Sequence, residues 1–126
     1  MIKLTFCLHR KSDLSLEEFQ DYWLNKHAPL VKSHAKTLRI QRYVQTHSSE
    51  TALSDGVRKP RAGSLDKAPE IFDGVAQLWF KSFEDMAASL SDPAALEAGK
   101  ALLEDEAKFV DLARSPLWFG EEHEIF

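Results

Sequence analysis

Three observations predict an α+β fold of the ferredoxin-like βαββαβ kind, an antiparallel sheet with helices on one face. They are a period-two apolar strand at the start, a capped helix directly after it, and a strand, strand, helix, strand remainder. In the first strand Ile2, Leu4, Phe6 and Leu8 alternate with Lys3, Thr5, Cys7 and His9, which gives one apolar face. Lys11-Ser12-Asp13 makes the turn. Ser15, with Glu18 three residues on, forms a capping box, and Leu16, Phe19, Trp23, His27 and Leu30 then follow helical spacing. Pro29 lacks a backbone donor and clashes with the preceding turn, so the helix is expected to kink or restart near Ala28, beside His27.

A second strand is expected over Arg39–His47, carried by Ile40, Tyr43 and Val44. From Ser48 to Glu70 the chain is rich in Ser, Asp, Gly, Arg, Lys and Pro with few apolar anchors, so it reads as a long loop suited to a flap. Val75–Phe80 is apolar on both sides except at Gln77, the pattern of a strand covered on both faces. Ser82 caps a short helix, and Asp92-Pro93 opens a longer one predicted to reach about Ala113. Pro116 separates that helix from a last strand, Leu117–Phe126. One such sheet leaves its second face open, and a single domain spanning residues 1–126 has no spare element to cover it. A homodimer stacking two sheets would cover Trp79 or its neighbours.

Composition narrows the partners. With 44% hydrophobic and 29% charged residues and a net charge of -4, the chain is expected to be a folded domain whose partners are neither nucleic acid nor an anionic membrane. The N-terminus has no secretory leader pattern, no run reaches membrane-spanning length, and Cys7 is the single cysteine. These features fit a soluble, reducing, cytoplasmic setting, with Cys7 as a small buried hydrophobe.

His27 is the first candidate for chemistry. Among Phe19, Trp23 and Leu30 its charged form is disfavoured, and a neutral imidazole can act as general base. The same pattern also suits a structural histidine bonded to a carbonyl freed by Pro29. Trp23 reads as core or as the wall of a planar pocket. Tyr43 can donate a phenolic hydrogen bond to a carbonyl or developing enolate, and it forms a looser group with His9 and His47, whose alternative is an exposed place on an edge strand. Metal binding is not expected: the five histidines are dispersed and neither Cys-x-x-Cys nor His-Glu-x-x-His occurs. Dinucleotide and phosphate loops and the Gly-x-Ser-x-Gly elbow are also missing, so no cofactor is expected.

At Phe19-x-x-Tyr22-Trp23-x-x-x-His27-x-Pro29-Leu30 the chain resembles the EthD family, named for ethyl tert-butyl ether degradation. The similarity continues through Asp73-Gly74-Val75-Ala76-x-Leu78-Trp79-Phe80, Asp105-Glu106-x-x-Phe109-Val110-Asp111 and Glu121-Glu122-His123. The resemblance implies a dimeric α+β barrel of two ferredoxin-like protomers, a small-molecule pocket between sheet and helices, and a loose grouping with oxidoreductases. The expected function is a cofactor-independent isomerase, cyclase, dehydratase or monooxygenase-like enzyme acting on an aromatic, lactone or polyketide-like compound. His27 would be the general acid/base and Tyr43 the donor to oxygen, with Trp23, Phe80, His9 and His47 around the substrate. The alternative is a non-enzymatic binding protein serving ether or aromatic degradation.

Overall fold

The computed structural model describes residues 1–49 and 51–126, so that Glu50, within the expected flap, lies outside the described residues. Strands β1 (Ile2–Leu8), β2 (Arg42–His47), β3 (Gly74–Phe80) and β4 (Leu117–Glu121) form one antiparallel sheet in the order β2-β3-β1-β4. Side chains directly opposite one another share a face. Phe6 stands opposite Ala76 and Leu117, Leu8 opposite Gly74, and Tyr43, Gln45 and His47 opposite Leu78, Ala76 and Gly74. Phe6, Leu8 and Ala76 pack with Phe19, Trp23 and Phe109 in the core, so Tyr43, Gln45 and His47 also point to the helical side.

The first helix runs as α1 (Leu16–Tyr22), a π turn (Trp23–His27) and α2 (Ala28–His34). Ser15 and Glu18 make the reciprocal capping box that the sequence calls for. The restart expected near Ala28 takes the form of the π turn, in which Ala28 N–H reaches back to the Trp23 carbonyl. At about 3.6 residues per turn, positions four apart drift by about 40°. The widened turn offsets that drift and keeps Phe19, Trp23, His27 and Val31, all buried, on one face.

Four expected boundaries move, each for a local reason. The second strand begins at Arg42, not Arg39, because Arg39 takes a left-handed conformation (φ 62°) closing the turn after α2, with its guanidinium 2.8 Å from Asp85 Oδ1. The Ser48–Glu70 stretch is not a plain loop: it contains α3 (Ala52–Ala62), capped by Thr51 and ended by Gly63 at φ 83°. Gly56 and Pro60 hide this helix, and it has no buried residue to give it a stripe. After α4 (Phe83–Ser89), α5 (Pro93–Glu106) stops short of Ala113, because the chain turns to bury Phe109 and Val110 and to bridge Val110 with Arg10. β4 ends at Glu121 because its partner β1 begins at Ile2, directly opposite.

The face away from the helices carries Thr5, Cys7, Val44, Gln77, Trp79 and Trp118. Trp79 is already buried within the one chain, with Arg42 Cζ 4.6 Å and Lys3 Nζ 5.6 Å from the ring centroid and Glu122 accepting its indole N–H. Trp118 is 51% exposed. Of the two tryptophans on this face, Trp79 is buried by its own chain and Trp118 is exposed.

Gly74 is where helix and sheet approach most tightly. A Cβ there would lie 2.4 Å from Trp23 Cζ3 and 2.8 Å from the Thr46 carbonyl oxygen, and neither the packed indole nor the strand backbone can retreat cheaply. Gly74→Ala is expected to destabilise the protein by about 1–3 kcal/mol, read from urea unfolding followed by tryptophan fluorescence.

Candidate functional site

The π turn aims His27 at α5. His27 Nδ1 lies 2.7 Å from Asp105 Oδ2, while the Tyr22 hydroxyl donates to Asp105 Oδ1 at 2.6 Å and Lys108 Nζ stands 3.5 Å from the same oxygen. The histidine is therefore not bonded to a carbonyl freed by Pro29; its partner is a carboxylate across the helix interface. An ionised Asp105 accepts only, so Nδ1 carries the proton and Nε2 keeps its lone pair, the arrangement of an oriented general base. Burial lowers the His27 pKa, and Asp105 opposes that shift without reversing it. Burial alone would raise the Asp105 carboxyl, but Tyr22, His27 and Lys108 hold it below its ordinary value. Asp105 in turn pushes the Tyr22 phenol up to about 12, so Tyr22 remains a donor.

A second chain of bonds fixes the β2 side. Gln45 Nε2 donates to the Trp23 carbonyl at 3.0 Å and to the Tyr43 hydroxyl oxygen at 2.8 Å, and His47 Nε2 lies 2.7 Å from Gln45 Oε1. With its oxygen occupied as acceptor, Tyr43 has its own O–H available for a ligand, and burial raises its pKa and keeps it protonated. The His47 ring stacks on Trp23 at 4.5 Å. Burial lowers the His47 pKa.

Two grooves meet at Tyr43. One, of about 340 Å³, is lined by Leu24, Ala28, Tyr43, Gln45 and His47; the other, of about 600 Å³, shares Leu24, Ala28 and Tyr43 and runs past Val31 and Ile40. His27 immediately precedes Ala28 in the chain but is itself buried and lines neither groove.

The structure thus gathers Trp23, His27, Tyr43 and His47 on the helical side of the sheet, but separates His9 and Phe80 from them. His9 sits against Phe72 beside a polar cavity lined by Arg10, Asp73 and Arg114, and Phe80 packs on Phe119. Neither lines the grooves at Tyr43. Sequence reasoning missed Asp105 and Tyr22, which orient His27, and also Glu106. Glu106 follows Asp105 on the half-buried side of α5, and its carboxyl is pushed up to about 7 by burial and then by the Asp105 charge. Asp105 and Glu106 belong to one of the motifs quoted above, but nothing local marks either as inward-facing. No group of three or more His, Cys, Asp or Glu side chains able to hold a metal occurs among the described residues, and none of the helices described is long and apolar enough to cross a membrane.

The opposite pKa shifts of His27 and Glu106 give stability two opposing slopes. His27, lowered, contributes stability that is full above its ordinary value of 6.5 and is lost as pH falls through its folded pKa. Glu106, raised, contributes stability that is full below 4.5 and is lost as pH rises through about 7. Urea unfolding across this range should show stability falling on acidification in Glu106→Gln and rising on acidification in His27→Gln; parallel curves would contradict the assignment.

The EthD domain model matches residues 11–113. The chain is 30% identical over 122 residues to a conidial pigment biosynthesis dehydratase from Metarhizium robertsii, covering 95% of this chain and 81% of that protein. It is 28% identical over 119 residues to a decarboxylase from Cryptosporiopsis, covering 93% and 77%. A crystal structure of an ethyl tert-butyl ether degradation family protein from Bacillus halodurans superposes with a TM-score of 0.62 at 19% identity, covering 98% and 99% of the two chains. The matched domain takes in the π turn, His27 and Asp105 alike, and the chain belongs to the EthD family.

Proposed function

We propose that this protein is a cofactor-independent enzyme that forms the enolate of an aromatic or polyketide-like carbonyl compound, with His27 Nε2 moving the proton and the Tyr43 hydroxyl donating to the enolate oxygen. The observation that carries this reading is the His27–Asp105 pair: a buried imidazole, held towards its neutral form by that burial and oriented by a carboxylate at Nδ1. Dehydration of a β-hydroxy ketone and decarboxylation of a β-keto acid both pass through an enolate. The names of the two fungal relatives, a dehydratase and a decarboxylase, support that common intermediate. We favour such lyase chemistry over the oxidoreductase and ether-degradation roles attached to the family name.

The apolar groove past Val31 and Ile40 receives the body of the substrate. A single donor to a developing oxyanion is worth about 10²–10³ in rate, and a positioned general base about 10²–10⁴. Exchange of ketone α-protons with deuterated water, followed by NMR, should therefore slow by those factors in Tyr43→Phe and His27→Gln respectively. A competing reading, a protein that binds such compounds without turning them over, is favoured by both grooves' being lined without His27. Ligand binding with no exchange in the wild type would select it.

The dimer belongs to the same proposal. Two sheets stacked through the face bearing Val44, Gln77 and Trp118 would cover the exposed indole and complete an α+β barrel. Val44→Asp places a charge on that face, and light scattering should then find a monomer where the wild type is a dimer.

A further inference from the structure

His47 lines two grooves at once: the one of about 340 Å³ that it shares with Tyr43, and another of about 550 Å³ that runs to α3 past Leu53, Val57 and Ile71. Unlike His27, it meets whatever occupies the space beside Tyr43. Its contacts within the chain leave one ring nitrogen to offer there. The ring stacks on Trp23, and Nε2 lies 2.7 Å from Gln45 Oε1.

The tautomer of His47 follows from Gln45. The amide nitrogen of Gln45 donates to the Trp23 carbonyl, which can only accept, so the amide cannot be turned over and its oxygen faces His47. His47 Nε2 therefore carries the proton. In the neutral ring Nδ1 is then an acceptor, and it makes no hydrogen bond among the described residues. Burial holds the ring towards that neutral form. Tyr43 is fixed in the complementary sense, because the same amide donates to its hydroxyl oxygen and leaves the O–H to give. Tyr43, Gln45 and His47 alternate along β2 and share a face, and the single amide that bridges them holds the Tyr43 oxygen and His47 Nε2 no more than about 8 Å apart. Leu24 and Ala28 supply the apolar remainder of the groove. A flat apolar ligand bound there meets one donor and one acceptor along the β2 edge.

We propose that His47 is the specificity-determining residue of the Tyr43 groove: its Nδ1 accepts a hydrogen bond from a hydroxyl on the ligand while Tyr43 donates to the carbonyl of the same molecule, so that the site selects hydroxylated aryl ketones over their unsubstituted and O-methylated counterparts. This rests on the reading above only in taking Tyr43 as the donor to a ligand carbonyl, and it requires no turnover. A hydroxyl ortho to the carbonyl closes an internal hydrogen bond and has no proton to give, so the selected hydroxyl lies further round the ring. The groove towards α3 begins at His47 and leaves room on the far side of that hydroxyl.

The test is binding to the full chain, by titration calorimetry, of acetophenone, its 3-hydroxy and 4-hydroxy derivatives and the methyl ethers of both. The wild type should bind at least one hydroxylated probe about 3–10-fold more tightly than acetophenone and than the matching ether. His47→Phe keeps a ring against Trp23 but has no Nδ1, and should erase that preference; Tyr43→Phe should weaken every ketone alike and keep it. In nitrogen-15 NMR the His47 Nδ1 resonance should move on adding the preferred hydroxylated probe and stay in place with acetophenone. The ethers remove the donor from the ligand side, so the wild type alone decides the matter if His47→Phe does not fold. Equal affinities for hydroxyl, ether and parent overturn the proposal, as does a preference that survives in His47→Phe. If none of the five probes binds, the Tyr43 groove is not the ligand site and the enolate reading falls with the proposal. A preference found without α-proton exchange supports the proposal and removes the enolate chemistry alone.

Discussion

Pro29 imposes the constraint from which the interior is built. It removes one backbone donor from the middle of a long helix, and the chain answers with a π turn in which the Trp23 carbonyl takes both the Ala28 N–H and the Gln45 side chain. A proline in a straight helix costs about 3 kcal/mol. Here the backbone change has a second use, because the extra residue rotates His27 onto the line of Phe19, Trp23 and Val31. Without it, the four-residue spacing would carry His27 off the buried face, away from Asp105. Helix restart, aromatic stacking of Trp23 on His47 and orientation of the imidazole are thus consequences of one backbone event.

Electrostatics then divides two adjacent carboxyls. Asp105 and Glu106 are sequence neighbours with opposite shifts, set by burial and by company. Asp105 has a phenol, an imidazole and an ammonium within reach and stays ionised. Burial first, and then the Asp105 charge, push the Glu106 carboxyl up to about 7. Pairs of titratable groups pushed apart by their surroundings mark acid and base roles more reliably than residue type does. The arrangement is economical in fold terms, since both environments arise at the last turn of one helix.

Much of this was legible in the residues. Ser15 with Glu18, Asp92 with Pro93, and the alternation from Ile2 to Leu8 are local signals, each acting within a few positions, and the structure forms those elements as read. α3 escaped because its stability does not come from an apolar face: Thr51 and Gly63 bound it while Gly56 and Pro60 mask it. The His27–Asp105 bond spans 78 positions, and periodicity on one helix says nothing about which residue of another will face it. His9 shows the converse. It belongs by type to a catalytic set, but the end of β1 delivers it to Phe72 and the Arg10–Asp73 pair, with its own N–H held by Ser115.

The family relationship gains chemical content from this geometry. Relatives named for dehydration and for decarboxylation share an intermediate more readily than a substrate, and under the reading proposed above an enolate would meet that need with two side chains, one moving a proton and one holding an oxygen. His27 and Tyr43 come from different elements, a π turn and the edge strand β2, tied together through Gln45 and the Trp23 carbonyl.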